Sequence, residues 1–460
     1  MDNIIALDNN EVISLREKHF ELHCMQMKLV KNNDNNCSFS GPGLIKQTSD
    51  GQLKFIMYAI EKNSIDKTLD EIFCTDKRQI GKIIPKTCYF QFSAIDNKGR
   101  EWTANHILPD RNYFKDGILF EGNLYEISFI RNISASCLTD STMHLEFYND
   151  LKIPANKYTT IKKTAGNNKN FTSELNILNF NIASYEYNFE KSKNMLQIRI
   201  VVKEKEFIEN FELRIIEGLQ FVLAQPLYWA LLMKWTIGKV EVRIRPILST
   251  LKQSSLLPPV VINYYSSSYF CAIFEKYMSY ILIEQFGEKI HPISAQIRAI
   301  CHASMGSIEA QALTISVAIE SILKYIEPEK DNNVSDIDEW IKKAQDYFET
   351  WGGPAKLNDR IKGLIAQLYN KNASKKLDEL IVKGVILKEQ KRSWQELRNK
   401  LTHGYTNISN NYQKLIDLKN TVLVMFYFLV FYIIGYQGEY TNYSSPGWPV
   451  EKYSPLPPKS

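Results

Sequence analysis

The 460-residue chain has no C-x-x-C pair, no apolar leader at its start, no strong excess of charge of either sign and no apolar run of membrane-spanning length. Each absence excludes something. The cysteines fall at 24, 37, 74, 88, 137, 271 and 301, an odd number without paired spacing, and the adjacent Cys301 and His302 cannot build a tetrahedral zinc site alone. They read as reduced, mostly buried thiols, and no metal or other cofactor is expected. The opening MDNIIALDNNEVISLREKHF mixes acids, amides and bases, unlike a secretory leader, so a cytoplasmic protein is expected. The net charge of +5 is small for this length and rules out a polybasic nucleic-acid binder, so any such contact is local. The apolar stretch VLVMFYFLVFYII at 422–434 falls short of the about 20 residues a bilayer core needs. Asp417 and Lys419 lie just upstream of it. It reads as a central bundle helix and predicts no membrane partner; insertion of this segment is the rival reading.

What is present is ordinary globular composition, 44% apolar and 23% charged, at a length that suits about two to three domains. From residue 21 to about 148 apolar residues alternate between turn-rich breaks, SGPG at 40–43 and DNKGR at 96–100. That pattern predicts strands, with YFQFSAI and EWTANHIL paired as a hairpin around Gly99. A sandwich or partly closed barrel follows. Residues 152–170, rich in Lys, Asn and Thr, read as an exposed linker. Beyond them strand-like LQIRIVV and KVEVRIRPI mix with helix-like FELRIIEGLQFVLA and YFCAIFEKYMSYILIEQF.

After Pro292 the period changes to that of helices. Ile308, Ala312, Ile315, Ile319, Ile322 and Ile326 form a core-facing stripe. A second helix opens at Ser335 with its buried face at Ile337, Trp340, Ile341, Ala344, Tyr347 and Phe348, and WGGP at 351–354 ends it. Two short amphipathic helices follow, and the whole reads as an antiparallel bundle of about six helices. The expected fold is α+β and multi-domain: a sandwich-like β-rich region at 1–165, an α+β lobe at 166–290, an all-α bundle at 291–437 and a Pro-rich extended tail at 438–460.

The stretch SWQELRNKLTHG carries the candidate chemistry. Ser393 and Glu396 have capping-box spacing, which predicts a helix from 393 to His403, closed by Gly404. At about 100° per residue, Trp394, Leu397 and Leu401 make one apolar stripe, while Asn399 and His403 stack nearly opposite. A core histidine belongs on the stripe, and His403 is far from it. The remaining alternatives are a histidine that satisfies the last carbonyls of its helix and one that moves protons, at a helix end where the dipole favours imidazolium. Lys391, Arg392 and Lys400 add a local basic run suited to a nucleic-acid backbone, or else a solvated face. Arg398 and His403 stand about 140° apart on a straight helix, which points to a site shared by two chains. Glu320 faces away from the isoleucine stripe and either lines the same cleft or is plain surface.

LRNKLTHG resembles the signature of HEPN ribonucleases, an arginine followed by four to six residues and a histidine, with a polar residue directly after the arginine. The resemblance covers about residues 295–437. A β-rich region before such a bundle is also similar to the ApeA-like anti-phage defence proteins, whose N-terminal region is regarded as a sensor. The resemblance implies a homodimeric, metal-independent endoribonuclease acting in abortive infection. Arg398, Asn399 and His403 would be its catalytic residues, RNA its substrate, and a phage-derived cue sensed by residues 1–290 its trigger. Two rivals stand beside it: a non-catalytic HEPN-like dimerisation or nucleotide-binding module, and the membrane-acting effector.

Overall fold

The structure is a computed structural model that describes residues 6–32, 37–63, 80–114, 117–134, 139–165, 168–192, 194–248, 254–263, 265–283, 287, 289–326, 336–369, 373–402 and 412–455. The chain divides into two compact units, one of Met1–Glu209 with Leu227–Lys252 and one of Asn210–Pro226 with Gln253–Ser460. The first is β-rich and the second largely helical, which is an α+β layout.

Among the described residues the first unit holds sixteen strands in one antiparallel sheet. They are β1 (Glu21–Lys31), β2 (Ser38–Gln47), β3 (Leu53–Ala59), β4 (Glu61–Asn63), β5 (Phe90–Asp96), β6 (Glu101–Ile107), β7 (Asp110–Phe114) and β8 (Gly117–Leu124). The series continues with β9 (Ile127–Asn132), β10 (Ser141–Phe147), β11 (Lys157–Ala165), β12 (Asn168–Ile182), β13 (Tyr185–Ser192), β14 (Met195–Val202), β15 (Trp229–Thr236) and β16 (Lys239–Ile244). The order across the sheet is β11-β12-β13-β14-β10-β15-β16-β9-β6-β5-β1-β2-β3-β8-β7, with β4 beside β2. Alternation in β3 and β5 sends Phe55, Met57, Phe92 and Ala94 inward. In a flat sheet β3 and β5 would stand roughly 14 Å apart, three strand spacings. The rings of Phe55 and Phe92 are 4.9 Å apart, so the sheet curls over its own apolar face.

The hairpin around DNKGR forms as the alternation predicts. Gly99 takes φ +74°, and the Asp96 carboxylate accepts the amides of Lys98 and Arg100. SGPG does not break a strand; it lies inside β2, opposite an irregularity of β1 between Cys24 and Met27. A Cβ on Gly41 or Gly43 would come within 1.9 or 2.0 Å of a carbonyl oxygen of β3, so the glycines serve a close strand approach rather than a turn. Residues 152–170 are no linker either, because β11 and β12 pair across this stretch as an edge hairpin of the sheet. Ladder hydrogen bonds between the two strands hold this stretch, and they need no apolar side chain. The separate lobe expected at 166–290 divides between the two units: LQIRIVV and KVEVRIRPI are β14 and β16 of the same sheet, whereas the two helices join the helical unit.

A short helix, α1 (Asn9–Arg16), which the strand reading did not anticipate, precedes the sheet and opens on a capping box in which Asp8 and Glu11 bond each other's amides. Its acids continue into a network in which Glu11 and Asp96 both hold Arg100, at 2.5 and 2.7 Å. Its last residue, Arg16, bonds the fully buried Glu146, which also accepts from Tyr148 at 2.5 Å and Gln197 at 3.0 Å and pairs with His144 at 2.9 Å.

The helical unit contains α2 (Phe211–Leu223), α3 (Ser267–Ile283), α4 (Pro292–Ala303), α5 (Ile308–Ile322), α6 (Asp336–Thr350), α7 (Ala355–Tyr369), α8 (Ala373–Val382), α9 (Lys388–Thr402) and α10 (Tyr412–Ile434). Seven described helices thus follow residue 291, one more than the periodicity separates. The isoleucine stripe that starts in α5 is buried at Ala312, Ile315, Ile319, Ile322 and, beyond the helix, Ile326, as expected, and half-buried at Ile308. Glu217 of α2 sits in the apolar interior, where it accepts from Arg214 at 2.8 Å, the His291 amide at 3.0 Å and the Ser294 hydroxyl at 3.2 Å. This network ties α2 to the start of α4. α10 is long and apolar enough to cross a membrane by length and composition, yet 72% of its most apolar window is buried inside the protein. The Pro-rich segment is more than an extended tail: β17 (Gly438–Thr441) and β18 (Val450–Tyr453) pair as a hairpin, and Tyr443 and Tyr453 are buried, donating to the carbonyls of Pro258 and Phe428.

Candidate active site around Arg398

Helix α9 begins at Lys388, five residues before the predicted start. Gln390 is the reason: its side-chain oxygen accepts the amide of Leu387 at 2.9 Å, satisfying an early helix donor, so that Ser393 falls inside the helix. The earlier start lengthens the buried stripe to Gln390, Lys391, Trp394 and Leu397. The Trp394 indole donates to the carbonyl of Ser316 at 3.2 Å, which fixes α9 against α5. α10 packs against both of these helices.

On this anchored helix Arg398 and Asn399 are exposed side by side. The Nε edge of the Arg398 guanidinium bonds Glu320 Oε1 at 2.8 Å, and its central carbon lies 5.6 Å from the Trp394 ring centre. The aromatic face and the carboxylate both favour the cation and restrict where its planar fork can point. Glu320, on the polar side of α5, is therefore brought to Arg398, one turn beyond the Trp394 to Ser316 bond. Sequence spacing put the two residues seventy-eight positions apart, and only the parallel run of α5 and α9 joins them.

The basic run divides. Arg392 is exposed on α9, whereas Lys391 is buried and its ammonium bonds Asp378 of α8 at 2.6 Å. Glu396 is engaged by Lys414 of α10 at 2.9 Å. Lys400 lies in α9, but its side chain, that of Leu401, and the whole of His403 and Gly404 fall outside the described residues, as does Ser335. The structure thus brings Arg398, Asn399 and Glu320 together and leaves the position of His403 unstated. Among the described residues no three His, Cys, Asp or Glu side chains are grouped as metal ligands, and Cys24, Cys271 and Cys301 are free thiols. Burial pushes the thiols of Cys24, Cys271 and Cys301 up to about 12, the opposite of an activated nucleophile. No family model matches the chain, and neither a curated protein nor a solved structure matches it at a significant level.

Proposed function

We propose that the chain is a metal-independent endoribonuclease of the HEPN type, working as a homodimer in the cytoplasm in an abortive-infection response to phage, with RNA as substrate and the β-rich unit as sensor. The observation that carries the reading is Arg398, exposed next to Asn399 and held by Glu320 and Trp394 on a helix whose other face is anchored in the bundle. A guanidinium restricted in this way suits the neutralisation of a crowded phosphate with little loss of freedom on binding. In the reaction the 2′-hydroxyl attacks the adjacent phosphorus while a base removes its proton, and the 5′-oxygen leaves as a hydroxyl after gaining one. The products are a 2′,3′-cyclic phosphate and a 5′-hydroxyl end. His403 is assigned the proton transfers, an effect of about 10² to 10⁴ in rate, and Asn399 the orientation of imidazole or ribose. Arg392 and Lys400 would follow the RNA backbone, while Lys391 is already engaged by Asp378.

The test is cleavage of RNA in chelator-containing buffer. Arg398→Ala and His403→Ala are each expected to lower the rate by two orders of magnitude or more. Glu320→Ala is expected to lower it about tenfold through the loosened guanidinium, about 1.4 kcal/mol of transition-state stabilisation. RNA left intact by the wild type under every activating condition would favour the non-catalytic binding module. The membrane rival predicts dye leakage from cells expressing the chain. Burial of most of the α10 apolar window counts against it.

A further inference from the structure

Helices α6 and α7 are joined through WGGP at 351–354 and pack on each other as an antiparallel hairpin. Trp340 and Tyr347 of α6 are 67% and 63% exposed, and Leu357 and Leu364 of α7 are 47% and 56% exposed. Each pair is seven residues apart, two turns along its helix, and so marks one exposed stripe. At about 100° per residue, the half-buried Ala344 and Phe348 of α6 and Ile361 with the buried Ile365 of α7 lie to one side of each stripe, where the helices meet. Lys343 and Arg360 lie to the other side, about 40° to 60° from their stripes. In an antiparallel pair this sets the two cations on opposite outer edges of one shared aromatic and apolar face. The Lys343 ammonium stands 4.9 Å from the Trp340 ring centre. Asp346, Glu349 and Asp359 are about 100° or more from the stripes, so among the described side chains the charges beside the face are both basic.

We propose that this face is a binding site for single-stranded RNA, made of residues other than those assigned to cleavage. Exposed indole and phenol rings are platforms on which any unpaired base stacks, and the leucines beside them extend the apolar floor. Lys343 and Arg360 then meet the phosphates on either side of the stacked bases. Duplex RNA hides its base faces and offers nothing to the rings. A second copy of the hairpin is disfavoured as occupant, because it would crowd the cations of both copies around one seam. The inference takes from the nuclease reading only that RNA is what the chain meets. Binding here does not require that Arg398 act on the phosphate.

Fluorescence anisotropy of a labelled oligouridine of about a dozen nucleotides, bound to the full-length His403→Ala chain so that the probe stays intact, tests this. Trp340→Ala with Tyr347→Ala in that background should raise the dissociation constant on the order of a hundredfold, with helix content by circular dichroism unchanged. Trp340→Phe, which keeps a ring, should retain most of the affinity. Lys343→Ala with Arg360→Ala should flatten the dependence of log affinity on log salt by about 0.7 for each cation removed. A chain that binds no oligouridine overturns the proposal, as does a Trp340→Ala/Tyr347→Ala variant that binds as tightly as its parent or a duplex held as tightly as the single strand. If that variant loses dimer mass in sedimentation while its RNA affinity is unchanged, the face belongs to a second copy and the proposal falls. Cleavage is read with His403 in place, where the aromatic variant should raise KM and leave kcat unaltered. Binding through the face without cleavage by the wild type would sink the nuclease reading alone, whereas cleavage lost in Arg398→Ala and indifferent to Trp340 and Tyr347 would sink this one alone.

Discussion

Arg398 and Glu146 show how differently a charged group behaves at a half-exposed site and in a core. At Arg398 the carboxylate of Glu320 stays partly in water, so the pair contributes direction more than stability. Glu146 is fully buried. Burial alone would push its carboxyl up, but bonds from His144, Arg16 and Tyr148 outweigh that and hold it far below the usual carboxylate range. A folded-state value below the unfolded one means that its contribution is complete above about pH 4.3, the unfolded value. The contribution is lost as pH falls below that towards the folded value. Glu146→Gln is expected to cost about 3 kcal/mol at neutral pH, because Arg16 loses its charged partner inside the unit. Urea unfolding of the full chain should show this gap closing as pH is lowered through 4, and a gap that is constant with pH would show that the charge is irrelevant.

At the level of elements, the misread segments share one cause. SGPG has turn composition but strand structure, and SWQE has cap composition but lies inside a helix, because in both places a neighbour supplied what the local chemistry would otherwise have provided. β3 approaches β2 so closely that only glycine fits at 41 and 43. Gln390 caps α9 five residues upstream of the expected start. Gly43→Val is therefore expected to destabilise the β-rich unit by about 3 kcal/mol, since the added Cβ meets the Ile56 carbonyl of an adjacent strand rather than a side chain that could move. Thermal unfolding is the check, and a shift no larger than that of an exposed substitution would mean that β2 and β3 separate freely. The α6 stripe fails differently: of its described side chains Ala344 and Phe348 are half-buried, whereas Trp340 and Tyr347 stay exposed.

For the whole molecule the consequential correction is at the boundaries. A cut at 290/291 looks natural in the sequence, where strand patterns give way to helical ones. The structure assigns α2 and α3 to the helical unit, with Phe221 stacked on Tyr277 at 4.6 Å and Glu217 capping the entry to α4. A fragment beginning at 291 therefore exposes the apolar faces that α2 and α3 cover. It is expected to aggregate or to show reduced helix content by circular dichroism. A cooperatively folded 291–460 fragment would show that those helices are dispensable.

Strand alternation from 21 to 148, the hairpin at Gly99, the isoleucine stripe of α5 and the apolar face of Trp394 and Leu397 were legible in the sequence, because each depends on period and local turn chemistry alone. The α+β layout follows from them. Tertiary structure alone decided that β14 and β16 extend one sheet, that Lys391 is occupied by Asp378, and that Glu320 reaches Arg398 across seventy-eight residues. Those outcomes depend on which elements become neighbours, and no local pattern encodes a contact between groups so far apart along the chain.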